Sequence, residues 1–135
     1  MERIGNALLC DIVYHDRATN KVVLAGVFSG SISLGEVPAA FNASLYAEYW
    51  PSKLGPTEVD IQFLVNGELV GGAKIHIDVT DLESPAILIV PNYQFVIVAS
   101  GEIVARAIVA SGKTLPIFSK KIEVKASTVS PQPVA

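Results

Sequence analysis

The chain has 135 residues, of which 50% are hydrophobic and 17% are charged, and its formal net charge is −3 at pH 7. This length is typical of one domain that can bury a core of its own. The sequence contains neither an apolar run of about eighteen residues nor a block of Lys and Arg. We therefore expect no membrane-spanning helix, and neither a membrane nor nucleic acid as partner.

The start of the chain lacks the pattern of a secretory signal. Its apolar run, residues 7–10, is shorter than the roughly 7–15 residues of such a signal. The single cysteine, Cys10, cannot form an internal disulfide. We therefore expect a cytoplasmic protein.

The first predicted strand, about residues 7–15, carries Cys10, Asp11 and His15, which are residue types of nucleophilic and metal sites. Alternation along a strand places Cys10 and His15 on opposite faces. Asp11 and His15 share a face but lie roughly 13 Å apart, whereas zinc ligands lie within about 2.2 Å of the metal. We therefore predict no catalytic site and no metal site here, and we expect Cys10 in the core.

After the turn DRATNK, the sequence predicts a second strand over residues 21–34. Pro38 interrupts the pattern, with at most a short turn near residues 38–42. A further strand is predicted over residues 43–50, which Pro51 ends.

Three residues of that strand, Tyr46, Glu48 and Trp50, share one face. Aromatic side chains beside a carboxylate can bind a sugar or form the centre of a protein interface. They can equally cover the rim of a sandwich core. These three residues are our candidate ligand-binding site.

Residues 57–80 have the pattern of a hairpin around Asn66-Gly67, a pair typical of a type I′ turn. A plain two-residue turn would put inward-facing Val59 opposite outward-facing Lys74, so one extra residue is needed. We predict a bulge at Gly71-Gly72. A three-residue loop, 66–68, is the alternative.

On the returning strand, His76 and Asp78 share the polar face, about 6.6 Å apart. With Asp60 from the partner strand they could bind a metal weakly. A solvent-exposed polar face, with Lys74 supplying the opposite charge, is the simpler interpretation, because two-residue metal motifs are unspecific.

The stretches AILIV and QFVIV, residues 86–90 and 94–98, are apolar on both faces. They are candidates for central strands or for a subunit interface. Another strand is predicted over residues 101–109.

The last strand, KTLPIFSKKIEV, contains Pro116, which cannot donate a ladder hydrogen bond. We therefore expect this strand at a sheet edge or with an irregular start. The segment 126–135 is rich in Pro and Ser and is predicted to be a disordered tail.

Eight to nine strands at roughly ten-residue spacing predict one all-β domain over residues 1–125. An antiparallel two-sheet β-sandwich, immunoglobulin-like, is the expected fold, and a small β-barrel is the alternative. The sequence contains no G-x-S-x-G elbow, phosphate loop, H-E-x-x-H or C-x-x-C. We therefore expect no enzyme and no cofactor.

Three hairpin segments carry a family resemblance: ALLCDIVYHDRATNKVVLAGVF, LYAEYW with EVDIQFLVNGELV, and SGEIVARAIVASGKTLPIFSKKIEV. Their order, over about residues 7–124, resembles a family of uncharacterised bacterial domains, a domain-of-unknown-function family. The middle turn departs from that family, with Asn66 instead of an aspartate, and so does the apolar stretch AILIVPNYQFVIV. The resemblance implies a compact antiparallel sandwich and no known activity.

These observations favour a non-enzymatic module that acts through protein–protein contacts, as a homo-oligomer or with another protein. The alternative is a small-ligand or carbohydrate-binding module that uses the face of Tyr46, Glu48 and Trp50.

Overall fold

The structure, a computed structural model, describes residues 2–125, which form nine strands and no helix. The strands are β1 (Arg3–Asp16), β2 (Lys21–Val27), β3 (Ile32–Leu34), β4 (Ala39–Trp50), β5 (Gly55–Val65), β6 (Glu68–Val79), β7 (Ala86–Ile97), β8 (Gly101–Ile108) and β9 (Thr114–Val124). Sheet A has the order β2-β1-β4-β7, and sheet B has the order β3-β9-β8-β5-β6. Within these residues, no helix is long and apolar enough to cross a membrane.

The two sheets pack face to face around one apolar core, which confirms the predicted all-β sandwich. At its centre, Phe95 of sheet A touches the rings of Phe41, Phe63 and Tyr93 at centroid distances of 4.8–5.5 Å. The contact between Phe95 and Phe63 crosses from one sheet to the other, with the rings at 71°. Such an edge-on pair adds about 1 kcal/mol beyond the burial of its surface.

The segment 21–34, predicted as one strand, is two strands in different sheets. β2 pairs with β1 in sheet A, and the chain then crosses to sheet B, where β3 pairs with β9 in parallel. All other strand pairs are antiparallel, as predicted. The regular strand is interrupted near Gly26, whose φ of 70° lies in the left-handed region.

Two further expectations from the sequence concern the turn near Pro38 and the end of the chain. The sequence allowed at most a short turn near residues 38–42; the bends lie at residues 35–38, and β4 begins at Ala39. The predicted tail, residues 126–135, lies outside the residues that the structure describes.

The β5–β6 register confirms the predicted bulge. The pairing shifts after Phe63 and Gly71, which leaves Val70 as the extra residue, just before the predicted glycine pair. Beyond the bulge Val59 lies opposite Ile75, as predicted. The extra residue therefore keeps the apolar faces of both strands in phase.

The turn at Asn66 and Gly67 has two residues, with φ values of 50° and 84°, so the three-residue loop 66–68 is wrong. Asn66 Nδ2 donates to the carbonyl of Ser100 at 3.4 Å, and its Oδ1 accepts from the backbone N–H of Glu102 at 2.9 Å. A carboxylate could accept but not donate. An asparagine therefore suits this turn better than an aspartate.

Strands β7 and β9 occupy different positions from those expected. β7 is an edge strand of sheet A, so the central-strand alternative for residues 86–90 and 94–98 is wrong. The subunit-interface alternative stays a prediction. Leu88, Phe95 and Ile97 face the core. β9 lies between β3 and β8 in the strand order, but β3 borders only Ile122–Val124, so the part with Pro116 pairs with β8 alone. The register shifts next to Pro116, which confirms the irregularity.

One hydrogen bond joins the sheets at one side of the sandwich. Tyr93 of β7 donates its hydroxyl to the carbonyl of Val70, the bulge residue of β6, at 3.0 Å. A Cβ on the neighbouring Gly71 would lie 2.2 Å from that hydroxyl. The absence of a side chain at Gly71 therefore lets Tyr93 reach the bulge.

The backbone at Gly72 leaves no room for a side chain, because an added Cβ would lie 1.8 Å from the carbonyl oxygen of Ile61. We expect Gly72→Ala to lower the free energy of unfolding by more than about 1 kcal/mol, measured by urea denaturation. Gly35→Ala is the matched control, since nothing lies within 4 Å of its added Cβ. Equal effects of the two substitutions would contradict the packing seen at Gly72.

Candidate functional site

Cys10 and His15 have separate surroundings. Cys10 is fully buried on β1, where its Sγ lies 3.7 Å from the carbonyl oxygen of Ser44. Burial, with the nearby charge of Asp11, raises the pKa of this thiol and so keeps it protonated. His15 instead lies 2.9 Å from Asn20 Oδ1 across the β1–β2 turn. The thiol and the imidazole therefore share no site.

His76 pairs with Glu58 rather than with Asp60 or Asp78, the two carboxylates that the sequence suggested. Its Nε2 lies 3.3 Å from Glu58 Oε2 on β5, with both side chains largely exposed. Asp60 lies opposite Lys74 in the strand register. Among residues 2–125, no group of three or more His, Cys, Asp or Glu side chains could hold a metal ion.

The structure brings Tyr46, Glu48 and Trp50 together on β4, on the face opposite to the core residues of that strand. The Tyr46 hydroxyl donates to Glu48 Oε2 at 2.6 Å, and Asn6 Nδ2 donates to Glu48 Oε1 at 3.0 Å. Both carboxylate oxygens therefore already have a hydrogen-bond donor. Burial first, and then the hydrogen bond and charge of Glu48, raise the pKa of Tyr46 to about 12.

Trp50 lies under a guanidinium group. The Arg3 guanidinium carbon is 4.8 Å from the Trp50 ring, a cation–π contact that covers one face of the indole. Sequence reasoning missed Arg3 and Asn6, because their positions depend on a register shift in β1 between Ile4 and Ala7. The pair Gly5-Asn6 is the local signal of that irregularity.

A second surface feature is the part of the β1–β2 hairpin that lies beyond the point where β1 stops pairing with β4. We call residues 11–25 the arm. β1 pairs with β4 only as far as Cys10, opposite Ser44, whereas its pairing with β2 continues to Asp16. Among residues 2–125, β2 is therefore the only strand hydrogen-bonded to residues 12–16 of β1.

The arm is apolar on both faces. On one face, Ile12 lies opposite Ala25 and Tyr14 lies opposite Val23; the three large side chains are 56–61% exposed. On the other face, Val13 pairs with Leu24 and His15 with Val22, and all four are half-buried. The arm therefore exposes much apolar surface for its size. A two-stranded hairpin without further strands is only marginally stable in water.

Ser44 fixes the point at which the arm leaves sheet A. This buried serine donates its hydroxyl to the carbonyl of Asp11 at 3.3 Å and accepts from the backbone N–H of Asn92 at 2.9 Å. The register of β4 and β7 shifts at the same place, around Pro91 and Asn92. One hydroxyl therefore satisfies two backbone groups that the interrupted ladder leaves without strand partners.

A cleft of about 270 Å³ lies at one end of the sandwich, between the β4–β5 and β8–β9 loops. At its margin the Tyr49 hydroxyl donates to Glu2 Oε2 at 2.5 Å, and Ser111 donates to Glu2 Oε1 at 3.4 Å. Burial, followed by the hydrogen bond to Glu2, raises the pKa of Tyr49. These groups bond to one another and tie the start of the chain to the sandwich.

Comparison with known proteins gives distant likenesses. No family model matches the chain, and no curated protein matches it. It is similar to the CARDB domain of a Pyrococcus furiosus protein in complex with di-metal ions, with 11% identity and a TM-score of 0.41, over 72% of this chain and 89% of that one. It is also similar to a β-glucosidase from Erythrobacter marinus, with 12% identity and a TM-score of 0.43, over 90% of this chain but only 15% of the enzyme. Neither likeness bears on the chemistry of these surfaces.

The raised pKa of Tyr46 predicts a loss of stability at high pH. In the unfolded chain its pKa returns to about 10, so the folded state holds the proton more tightly. The free energy of unfolding should therefore fall as the pH rises from about 10 to about 12, because the unfolded state loses the proton first. Urea denaturation across that range measures the fall, to which Tyr49 also contributes.

Tyr46→Phe removes the titrating hydroxyl and should make the fall smaller. Tyr14→Phe, at an exposed tyrosine of the arm, is the matched control and should leave the fall as in the wild type. The same pH dependence in Tyr46→Phe and the wild type would contradict the assignment.

Proposed function

We propose that this protein is a non-enzymatic β-sandwich module that acts by protein–protein contact, that its partner is a second copy of the chain, and that the arm is the contact surface. The observation that carries the proposal is the exposure of Ile12, Tyr14 and Val23 on one face of the arm. In the arm, β1 pairs with β2 but no longer with β4. Transfer of one such side chain from water to an apolar contact contributes about 1.5–3 kcal/mol.

The composition of the arm favours a copy of itself as the partner. Between Ile12 and Tyr14 on β1, and between Val22 and Ala25 on β2, the sequence contains no charged residue. A complementary surface must therefore be apolar, and the arm of a second copy is such a surface. Symmetric self-contacts of this kind are the commonest form of oligomer.

The second candidate is a carbohydrate or small-ligand module that uses Tyr46, Glu48 and Trp50. The observation in its favour is the fixed Glu48 carboxylate between two aromatic side chains. The cover that Arg3 places over Trp50 weighs against it, because a stacked sugar needs an open ring face.

We further propose, on the strength of the three hairpin motifs, that the chain belongs to the resembled family of bacterial domains of unknown function. The single cysteine, buried and unbridged, supports the cytoplasm as the proposed location.

Self-association should depend on the arm. We expect sedimentation of the wild type to show a mass that rises with concentration between about 10 µM and about 1 mM. The double variant Ile12→Ser with Tyr14→Ser should associate at least about tenfold more weakly, because it removes two large apolar contacts.

Val96→Ser with Val98→Ser is the matched control, since these side chains are as exposed but lie on or just after β7. It should associate like the wild type. A wild type that remains a monomer over the whole range, or an equal loss in both double variants, would overturn the proposal.

The second candidate predicts that ligand binding changes the fluorescence of Trp50, the single tryptophan of the chain. Emission should shift on titration with soluble oligosaccharides, and Tyr46→Ser should weaken the effect. An emission spectrum that stays unchanged across a panel of oligosaccharides would remove this candidate.

A further inference from the structure

The four strands at the ends of the two sheet orders differ in how they are protected from pairing with another chain. Edge strands are commonly blunted by shortness, charge, proline or a bulge. β3 has three residues, β6 contains the bulge at Val70 and two charged residues beyond it, and β7 has Pro91 in its middle. Each of these three edges therefore carries at least one such device.

β2 lacks these devices. It has seven residues with the sequence KVVLAGV, without proline, and its single charge is on Lys21 at one end. Between Lys21 and Ala25 it pairs with β1 residue by residue, without a register shift. This stretch is therefore regular and apolar, and in residues 2–125 it has a neighbouring strand on one side only.

We propose that the outer edge of β2 pairs antiparallel with β2 of a second copy of the chain, so that the two A sheets form one continuous eight-stranded sheet. This inference rests on the proposed function, because it specifies how two copies meet at the arm. Each copy contributes the same backbone N–H and C=O groups, which are otherwise left to water.

Symmetry restricts the register of this pairing. A two-fold axis perpendicular to the sheet leaves each side chain on its own face, so a residue can pair only with itself or with one an even number of positions away. Gly26, with its φ of 70°, ends the regular stretch at Ala25. The register that pairs all five regular residues places Val23 opposite its own copy, Val22 opposite Leu24, and Lys21 opposite Ala25.

This register matches apolar side chains across the contact and keeps like charges apart. Two of the three exposed large side chains of the arm form one row across four strands, in which Tyr14 and Val23 of one copy continue into Val23 and Tyr14 of the other. Directly opposite apolar pairs contribute roughly 0.2–1 kcal/mol each. The two Lys21 side chains lie at opposite ends, roughly 13 Å apart along the strands, so no like charges meet. Because each copy uses its own β2 edge in this two-fold contact, the pairing closes at two copies.

Disulfide trapping in the full chain tests the inference. In Val23→Cys the two thiols would lie on facing residues, where Cα atoms about 4.5–5.5 Å apart suit a disulfide. We expect mild oxidation to convert Val23→Cys to a covalent dimer. Ala25→Cys, on the same face of β2, should stay monomeric alone, because its two copies are roughly 13 Å apart. It should cross-link when mixed with Lys21→Cys.

The wild type is the baseline, since its one cysteine is buried. A rapid cross-link of Leu24→Cys alone would overturn this register. Association of the wild type without a cross-link in Val23→Cys would overturn the edge pairing and leave the proposed function standing. A wild type that remains a monomer in sedimentation would overturn both.

Discussion

Burial of one face of every strand depends on register, because a slip of one residue would turn each inward side chain toward water. The core between the two sheets survives several places where the register shifts. At Val70 the extra residue restores the match between β5 and β6, and around Asn92 another shift preserves the match between β4 and β7. These irregularities are therefore conditions for the core, and they also determine where side chains outside it are presented.

The sequence allowed the sandwich and one hairpin to be predicted, because both follow from local patterns. Val59 lies opposite Ile75 because alternation and a two-residue turn leave only one acceptable correction. The order of strands within each sheet is not local. Pro91 in the middle of β7 is a signal of an edge strand, but the apolar stretches on either side of it favoured a central one. The crossing from β2 to β3 has no signal beyond a glycine that suits many conformations.

For the candidate site, the shared face of its residues could be predicted, but their contacts with other strands could not. Alternation placed Tyr46, Glu48 and Trp50 on one face, since they lie on one strand. Their contacts with Asn6 and Arg3 come from another strand and depend on a register shift that leaves little trace in the sequence. The arm could not be predicted for a related reason, because its alternation looks like that of any half-buried strand. Only the end of the β1–β4 pairing shows that β1 no longer has β4 beside it.

The hydrogen bond from Tyr93 to the bulge at Val70 has a mechanical consequence. Apolar packing resists separation of two sheets but opposes sideways sliding only weakly, because it has no preferred direction. A hydroxyl from one sheet that bonds a carbonyl of the other has a direction and a length, so any shear of the sheets must break it. The bulge thus gives this side of the sandwich a fixed anchor against sliding.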